Sequence, residues 1–199
     1  MDRNTIMEHT TNIKRLVILF FCLLAIGAGV WFFGLFPVSR VNGEYMLYRT
    51  YNERAKALEG FEIKNRLVAG SASLTQTEQE EIHKSILQNL IVERIFGQYV
   101  EEHTALSGLK ESADAVVART LKEADPNVLP QATKELYGWS VDEFAKNVLF
   151  PQAFQNELQG AIERDGMSFG EFARTQLKDA QVKLYAVPWK WENGGLVSK

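Results

Sequence analysis

Hydrophobic and polar residues follow different rhythms in successive parts of this chain. From Leu16 to Phe36 the run LVILFFCLLAIGAGVWFFGLF carries no charge and nothing more polar than Cys22. At ~1.5 Å per helical residue it would measure ~32 Å, the hydrocarbon thickness of a bilayer, and is expected to be a single transmembrane helix. Beyond it, apolar residues recur every three to four positions, the period of helices with one buried face. The last part changes again: Val182 to Trp191 reads VKLYAVPWKW, rich in strand formers, with Pro188 marking an edge or an end.

Between these limits the pattern predicts a mainly α domain. Val38 to Val41 reads as a short strand ended by the turn pair Asn42-Gly43. Glu44 is expected to open a helix with Tyr45, Tyr48, Ala55 and Leu58 on one side, ended by Gly60. Phe61 to Leu74 reads as a loop or frayed helix. Thr75 with Glu78, and Thr77 with Glu80, have capping-box spacing and open the strongest helix, running to about His103. Ile82, Ile86, Leu87 and Leu90 share one side of it; Ile91, Val92, Ile95, Phe96 and Tyr99 cover the other. A helix apolar on both sides is packed on both sides, so this is the expected central helix. A helix over about Glu111 to Ala124 follows, then a short one to Tyr137. Ser140 with Glu143 caps a further stripe, Val141, Phe144, Val148 and Leu149, continued by Phe154, Leu158 and Ile162. Pro151 predicts a kink or fresh start near Phe150. Ser168 with Glu171 caps the last helix. One strand cannot stand alone, so Val38 to Val41 is expected to pair with a strand inside Val182 to Val187, closing the domain with a small two-stranded sheet.

Charge sets the orientation. Arg3, Lys14 and Arg15 precede the apolar run and only Arg40 closely follows it, which predicts a cytoplasmic tail, residues 1–15, and an extracytoplasmic bulk. The competing reading is a cleaved signal peptide with its cut near Ala25 to Ala28. The run continues through Val30-Trp31-Phe32-Phe33, which a signal peptide does not need. The expected organisation is a span over 16–36, a helical domain over 38–187 and a C-terminal tail over 188–199, on a single-pass protein of the cell membrane. The net charge is −3 with no basic stripe, which argues against a nucleic-acid partner. The only cysteine is Cys22, so the outer domain depends on packing rather than disulfides.

Catalytic patterns are sparse. His9, His83 and His103 are scattered, and no HExxH, CxxC, GxSxG or phosphate-loop motif occurs. Glu78, Glu80 and Glu81 crowd a helix start, where carboxylates suit the macrodipole. His83 and His103 read as surface residues. No catalytic, cofactor or metal site is assigned, and no cofactor is expected.

Arg40-Val41-Asn42-Gly43-Glu44, directly after the apolar run, resembles the start of the SurA N-terminal-type domain of SurA, PrsA and PpiD-like extracytoplasmic foldases. That family opens with a short strand, a VNGE-like turn and a helix. Its long helix is similar to Ile86-Leu87-Gln88-Asn89-Leu90-Ile91-Val92-Glu93-Arg94. Its later G-x-S-x-x-E-F-like motif is matched by Gly138-Trp139-Ser140-Val141-Asp142-Glu143-Phe144. The stretch Asn147 to Gln152 resembles the helix that follows. The motif residues are therefore Val41, Asn42, Gly43, Glu44, Ser140, Glu143 and Phe144, and the resemblance covers roughly Val38 to Ile162. The chain departs from the family at its end. Phe169 to Ala173 and Gly194-Gly195 resemble a parvulin helix and its Gly-Gly turn. The stretch after Glu163 is nevertheless too short for a prolyl isomerase domain, and no histidine follows His103.

The resemblance implies a membrane-anchored, extracytoplasmic chaperone or foldase-like protein binding unfolded, translocated polypeptides. Phe96, Tyr99, Phe144, Phe150 and Phe154 are the candidate client-binding residues; each also serves as ordinary core filling. The alternatives are a divergent anchored peptidyl-prolyl isomerase and a structural subunit docking on a translocase or another membrane complex.

Overall fold

The computed structural model describes Phe20, Cys22, Gly27, Gly29 and every residue from Phe33 to Lys199. The expected tail 1–15, and most of the expected span 16–36, lie outside the described residues. Among the described residues no helix is long and apolar enough to cross a membrane.

The chain begins with a hairpin. Strand β1 (Pro37–Val41) turns at Asn42 and Gly43, both left-handed at φ 47° and 97°, and returns as β2 (Glu44–Leu47). Two successive left-handed residues form the turn whose twist matches paired strands, and Asn-Gly adopts it at least cost. This corrects the expectation that Glu44 opens a helix. The first helix, α1 (Tyr48–Val68), starts only once the hairpin is complete. It also runs through Gly60, where it was expected to end. A helical glycine costs only about 1 kcal/mol relative to alanine, and packing beyond it supports the helix: the Phe61 ring stacks on Tyr137 at 4.8 Å.

Helix α2 (Gln76–Glu102) is the central helix, opened by the Thr75–Glu78 capping box. The second expected box does not form; Glu80 instead accepts from Gln76 at 3.0 Å. Helix α1 packs along one side of α2, while β1 and later elements pack on others. A short 3-10 turn, Thr104–Leu106, leads to α3 (Leu109–Glu123), and α4 (Leu129–Tyr137) follows. The Ser140–Glu143 box forms and opens the single turn α5 (Val141–Phe144). Pro151 leaves its mark next. A proline at 151 cannot donate to the carbonyl of Asn147, and its ring crowds that carbonyl. The chain relieves the clash by widening into one π-helical turn, Ala145–Leu149, before continuing as α6 (Phe150–Arg164). The final helix, α7 (Phe169–Asp179), follows Ser168, whose hydroxyl makes no capping bond, so the fourth expected box, Ser168 with Glu171, is absent.

The two ends of the domain meet as expected. Strand β3 (Val182–Leu184) lies antiparallel to β1, with Ser39 opposite Leu184 and Val41 opposite Val182. The sheet has three strands rather than two, in the order β2-β1-β3. Asn42 locks this closure. Its backbone N–H donates to Gln181 O at 2.9 Å, and its side chain accepts from Gln181 N at 2.8 Å and donates to Gln98 of α2 at 3.1 Å. Residues 188–199, expected as a tail, fold into a second hairpin, β4 (Trp189–Glu192) and β5 (Gly195–Ser198). Trp189 and Leu196 join the core, and the Trp191 indole donates to Leu177 O at 3.3 Å.

Among the described residues one buried side-chain polar atom has no hydrogen-bond partner. Ser39 is fully buried at the centre of the sheet, and its hydroxyl makes no hydrogen bond among the described residues. Ser39→Ala should therefore stabilise the fold by about 1 kcal/mol, the order of an uncompensated buried hydroxyl. In a chain of this size the melting temperature should rise by about 2–4 °C. An unchanged or lower midpoint would show that the hydroxyl is satisfied.

Candidate functional site

The π-helical turn and α6 stand away from α2 and leave a cleft of about 380 Å³ between them. Met46 of β2, Leu90 of α2, and Phe150, Pro151 and Phe154 of α6 supply its apolar lining. A second depression of about 320 Å³ lies between the same helices and shares Glu93, Pro151 and Phe154 with the first; Phe96 borders it. Each is large enough for a few side chains or a small ligand.

Around the apolar lining runs a polar frame. Arg54 of α1 reaches across to α2 and donates Nη1–H to both oxygens of Glu93, at 2.7 and 2.8 Å. Its Nε–H donates to Asn147 Oδ1 in the π-helical turn at 3.1 Å. One guanidinium thus ties α1, α2 and the π-helical turn together at the border of the two depressions. Burial pushes the Glu93 carboxyl above its ordinary range; the positive charge of Arg54 opposes that without overcoming it. Farther out the rim pairs its charges: Arg94 with Glu44 at 2.8 Å, and Lys110 with Glu101 at 2.6 Å. Lys146 adds another cation.

The five aromatic candidates divide. Phe150 and Phe154 sit side by side in the cleft, their rings 6.0 Å apart, with Phe150 partly exposed and Phe154 buried. Phe96 is buried and leans on Phe169 and Phe172 while edging the second depression. Tyr99 packs on Phe172 and stacks with His103, away from the cleft. Phe144 packs on Tyr137. The motif residues build the frame rather than the cleft. Val41 is core, Asn42 is the clamp, Gly43 makes the turn, and Glu44 pairs with Arg94. Ser140 and Glu143 cap α5.

Two features escaped sequence reasoning. The Arg54–Glu93–Asn147 network joins residues too far apart for any local spacing to reveal. His83, read as a surface residue, is half-buried between α1 and α2: the Tyr51 hydroxyl lies 2.8 Å from its Nδ1, and Glu59 lies 3.2 Å from its Nε2. A Tyr–His–Glu chain has the residue types of a proton relay. Burial raises the Tyr51 phenol, Tyr51 borders neither depression between α2 and α6, and the three side chains bridge α1 and α2. Among the described residues no group of His, Cys, Asp and Glu is arranged to hold a metal ion.

Comparison of the chain with protein-family models, with curated proteins and with solved structures finds no match. The cleft has to be read on its own chemistry.

Proposed function

We propose that this protein is a membrane-anchored, extracytoplasmic chaperone or foldase-like protein whose cleft holds apolar segments of unfolded polypeptides. The observation that carries the reading is the pair Phe150 and Phe154, set with Met46, Leu90 and Pro151 in a partly exposed cleft and framed by ion pairs. An apolar floor rewards burial of any hydrophobic side chain, and so tolerates many sequences. Self-paired rim charges exert little steering field, so association should be weakly sensitive to salt. The apolar run 16–36, with basic residues before it, supports anchoring on the side where translocated chains emerge. The VNGE-to-SVDEF order supports the same class by resemblance.

The test is a photo-crosslinking residue placed at Phe150 in intact cells. The expected result is a broad smear of adducts with unrelated exported chains, and none from the same probe at the exposed Glu123. Binding of an unfolded model protein should show a negative heat-capacity change. Phe150→Ala should weaken it about three- to ten-fold, a fraction of what full burial of an aromatic side chain contributes. A single discrete adduct at Phe150 would count against the chaperone reading.

A structural subunit is the second reading, favoured by the far end of α1. Ile63, Leu67 and Val68 stand in solvent there, Val68 91 % exposed. Co-purification with one defined membrane complex, in the absence of unfolded protein, would favour it.

A further inference from the structure

Strand β2 has two faces with different company. Successive residues of a strand point to opposite sides. Met46 points inward, is 6 % exposed, and borders the cleft. Tyr45 and Leu47 point the other way and are 57 % and 39 % exposed. They share a shallow apolar depression with Leu35 and with Tyr185, which follows β3. Two cations lie over the rings of this face: the Arg40 guanidinium 5.3 Å from the Tyr45 centroid, and the Lys183 ammonium 5.5 Å from that of Tyr185. Carboxylates near it in the chain are engaged elsewhere, Glu44 with Arg94 and Glu53 with Arg49. On a chain of net charge −3, this face combines exposed tyrosines, aliphatic side chains and positive charge.

The apolar run 16–36 ends on this same face: Leu35, one of its last residues, is 44 % exposed and lines the depression. The join is fixed. Gly34 O accepts from Arg49 N at 3.0 Å, and Phe36 O accepts from Tyr48 N at 2.9 Å, so two carbonyls satisfy N–H groups at the start of α1. The Phe36 ring stacks on Tyr48 at 4.8 Å. Gly34 is left-handed at φ 63°, and a Cβ there would stand 3.3 Å from the Arg49 nitrogen. Residues 34–36, the last of the run, are thereby tied to the start of α1.

We propose that the outer face of the three-stranded sheet rests on the headgroup layer of an anionic bilayer, with Tyr45, Leu47, Tyr185 and Leu35 at the interface and Arg40 and Lys183 toward lipid phosphates. The proposal rests on the reading of 16–36 as a membrane anchor. Tyrosine rings favour the interface because one end is apolar and the other wet. Juxtamembrane cations are drawn to anionic lipid. The consequence for function is geometric: the sheet stands between the lipid and the cleft, and clients are held on its far side.

The test uses the full chain in vesicles of phosphatidylglycerol and phosphatidylcholine, with a nitroxide spin label on single cysteines. Native Cys22 reports on the anchor. Tyr45→Cys and Glu123→Cys, each with Cys22→Ser, report on the sheet face and on a distant exposed helix end. Circular dichroism confirms that the helical content of each variant is retained. The expected result is a Cys22 label open to oxygen and closed to a water-soluble nickel chelate. The label at 45 should lose most of its access to the chelate, and the label at 123 should keep it. Protection at 45 should decrease in pure phosphatidylcholine; equal protection in both lipids overturns the role given to Arg40 and Lys183. A Cys22 label in hydrocarbon, with labels at 45 and 123 equally open to the chelate, overturns the face while leaving the anchor. A Cys22 label in water overturns both. Mutual broadening between labels at 45 on two copies would replace lipid with a second copy as the occupant.

Discussion

Replacing Arg54 with alanine should destabilise the protein by roughly 2–4 kcal/mol, toward the lower part of what breaking a buried ion pair costs. The Arg54 side chain is 14 % exposed and that of Glu93 33 %, so water screens part of the loss. The variant removes the link between α1, α2 and the π-helical turn and strands a carboxylate that burial already disfavours. The sign of the pH dependence follows from that. A carboxyl whose folded pKa lies above its unfolded value contributes stability below the unfolded value, and loses it as pH rises through the folded one. Without Arg54 the Glu93 carboxyl rises further. The deficit of Arg54→Ala should therefore be smallest below about pH 4 and grow toward neutrality. Urea denaturation at several pH values measures this, and a pH-independent deficit would show that Glu93 stays solvated. Pairing Arg54→Met with Glu93→Leu should recover much of the loss, since neither charge then remains to be desolvated.

The second large effect is expected in the core of α2. Leu87 is completely buried, and Leu87→Ala should cost roughly 2–5 kcal/mol through lost burial and the void left behind. Leu90 is nearly as buried but lines the cleft, so the space vacated by Leu90→Ala opens to solvent instead of forming an enclosed cavity. Its cost should sit at the bottom of the same range, ~2 kcal/mol. Chemical denaturation of the two variants side by side gives the order. If Leu90→Ala proved the more damaging, something would close the cleft in solution.

Local patterns in the sequence translated well where the deciding interactions are local. The 27-residue α2 and its Thr75–Glu78 cap were legible because periodicity and capping act within a few residues. The pairing of β1 with β3 was legible by elimination, since those were the two good strand candidates. The failures have physical causes too. Glu44 to Leu47 shares its apolar spacing with a helix start, and only the left-handed turn at Asn42-Gly43 forces it back as a strand. Gly60 looks like a helix stop until Phe61 finds Tyr137. The C-terminal hairpin hid because its turn, Asn193-Gly194, follows a segment punctuated by Pro188. In the cleft, Phe150 and Phe154 stood out as aromatics. Nothing in the sequence separated them from Tyr99 or Phe144, because that choice is made by the path of α6 after Pro151. The Arg54–Glu93–Asn147 frame depends wholly on tertiary approach, and partners 39 and 93 positions from Arg54 carry no local pattern.

The closure of the sheet has a consequence for the order of synthesis. Asn42 and Gln181, the two sides of the clamp, are 139 residues apart. At ~5–20 residues per second, the first hairpin waits about 7–30 s between its own synthesis and the arrival of its third strand. Throughout that interval the β1 edge that β3 will cover presents open backbone groups, the kind of edge that recruits other strands. The early folding unit can only be local, α1 against α2 and α3 against α6, and the sheet comes last because its loop is the longest to close. A ribosome-stalled chain ending before Gln181 should accordingly contain the central helices yet remain sensitive to proteolysis at the hairpin.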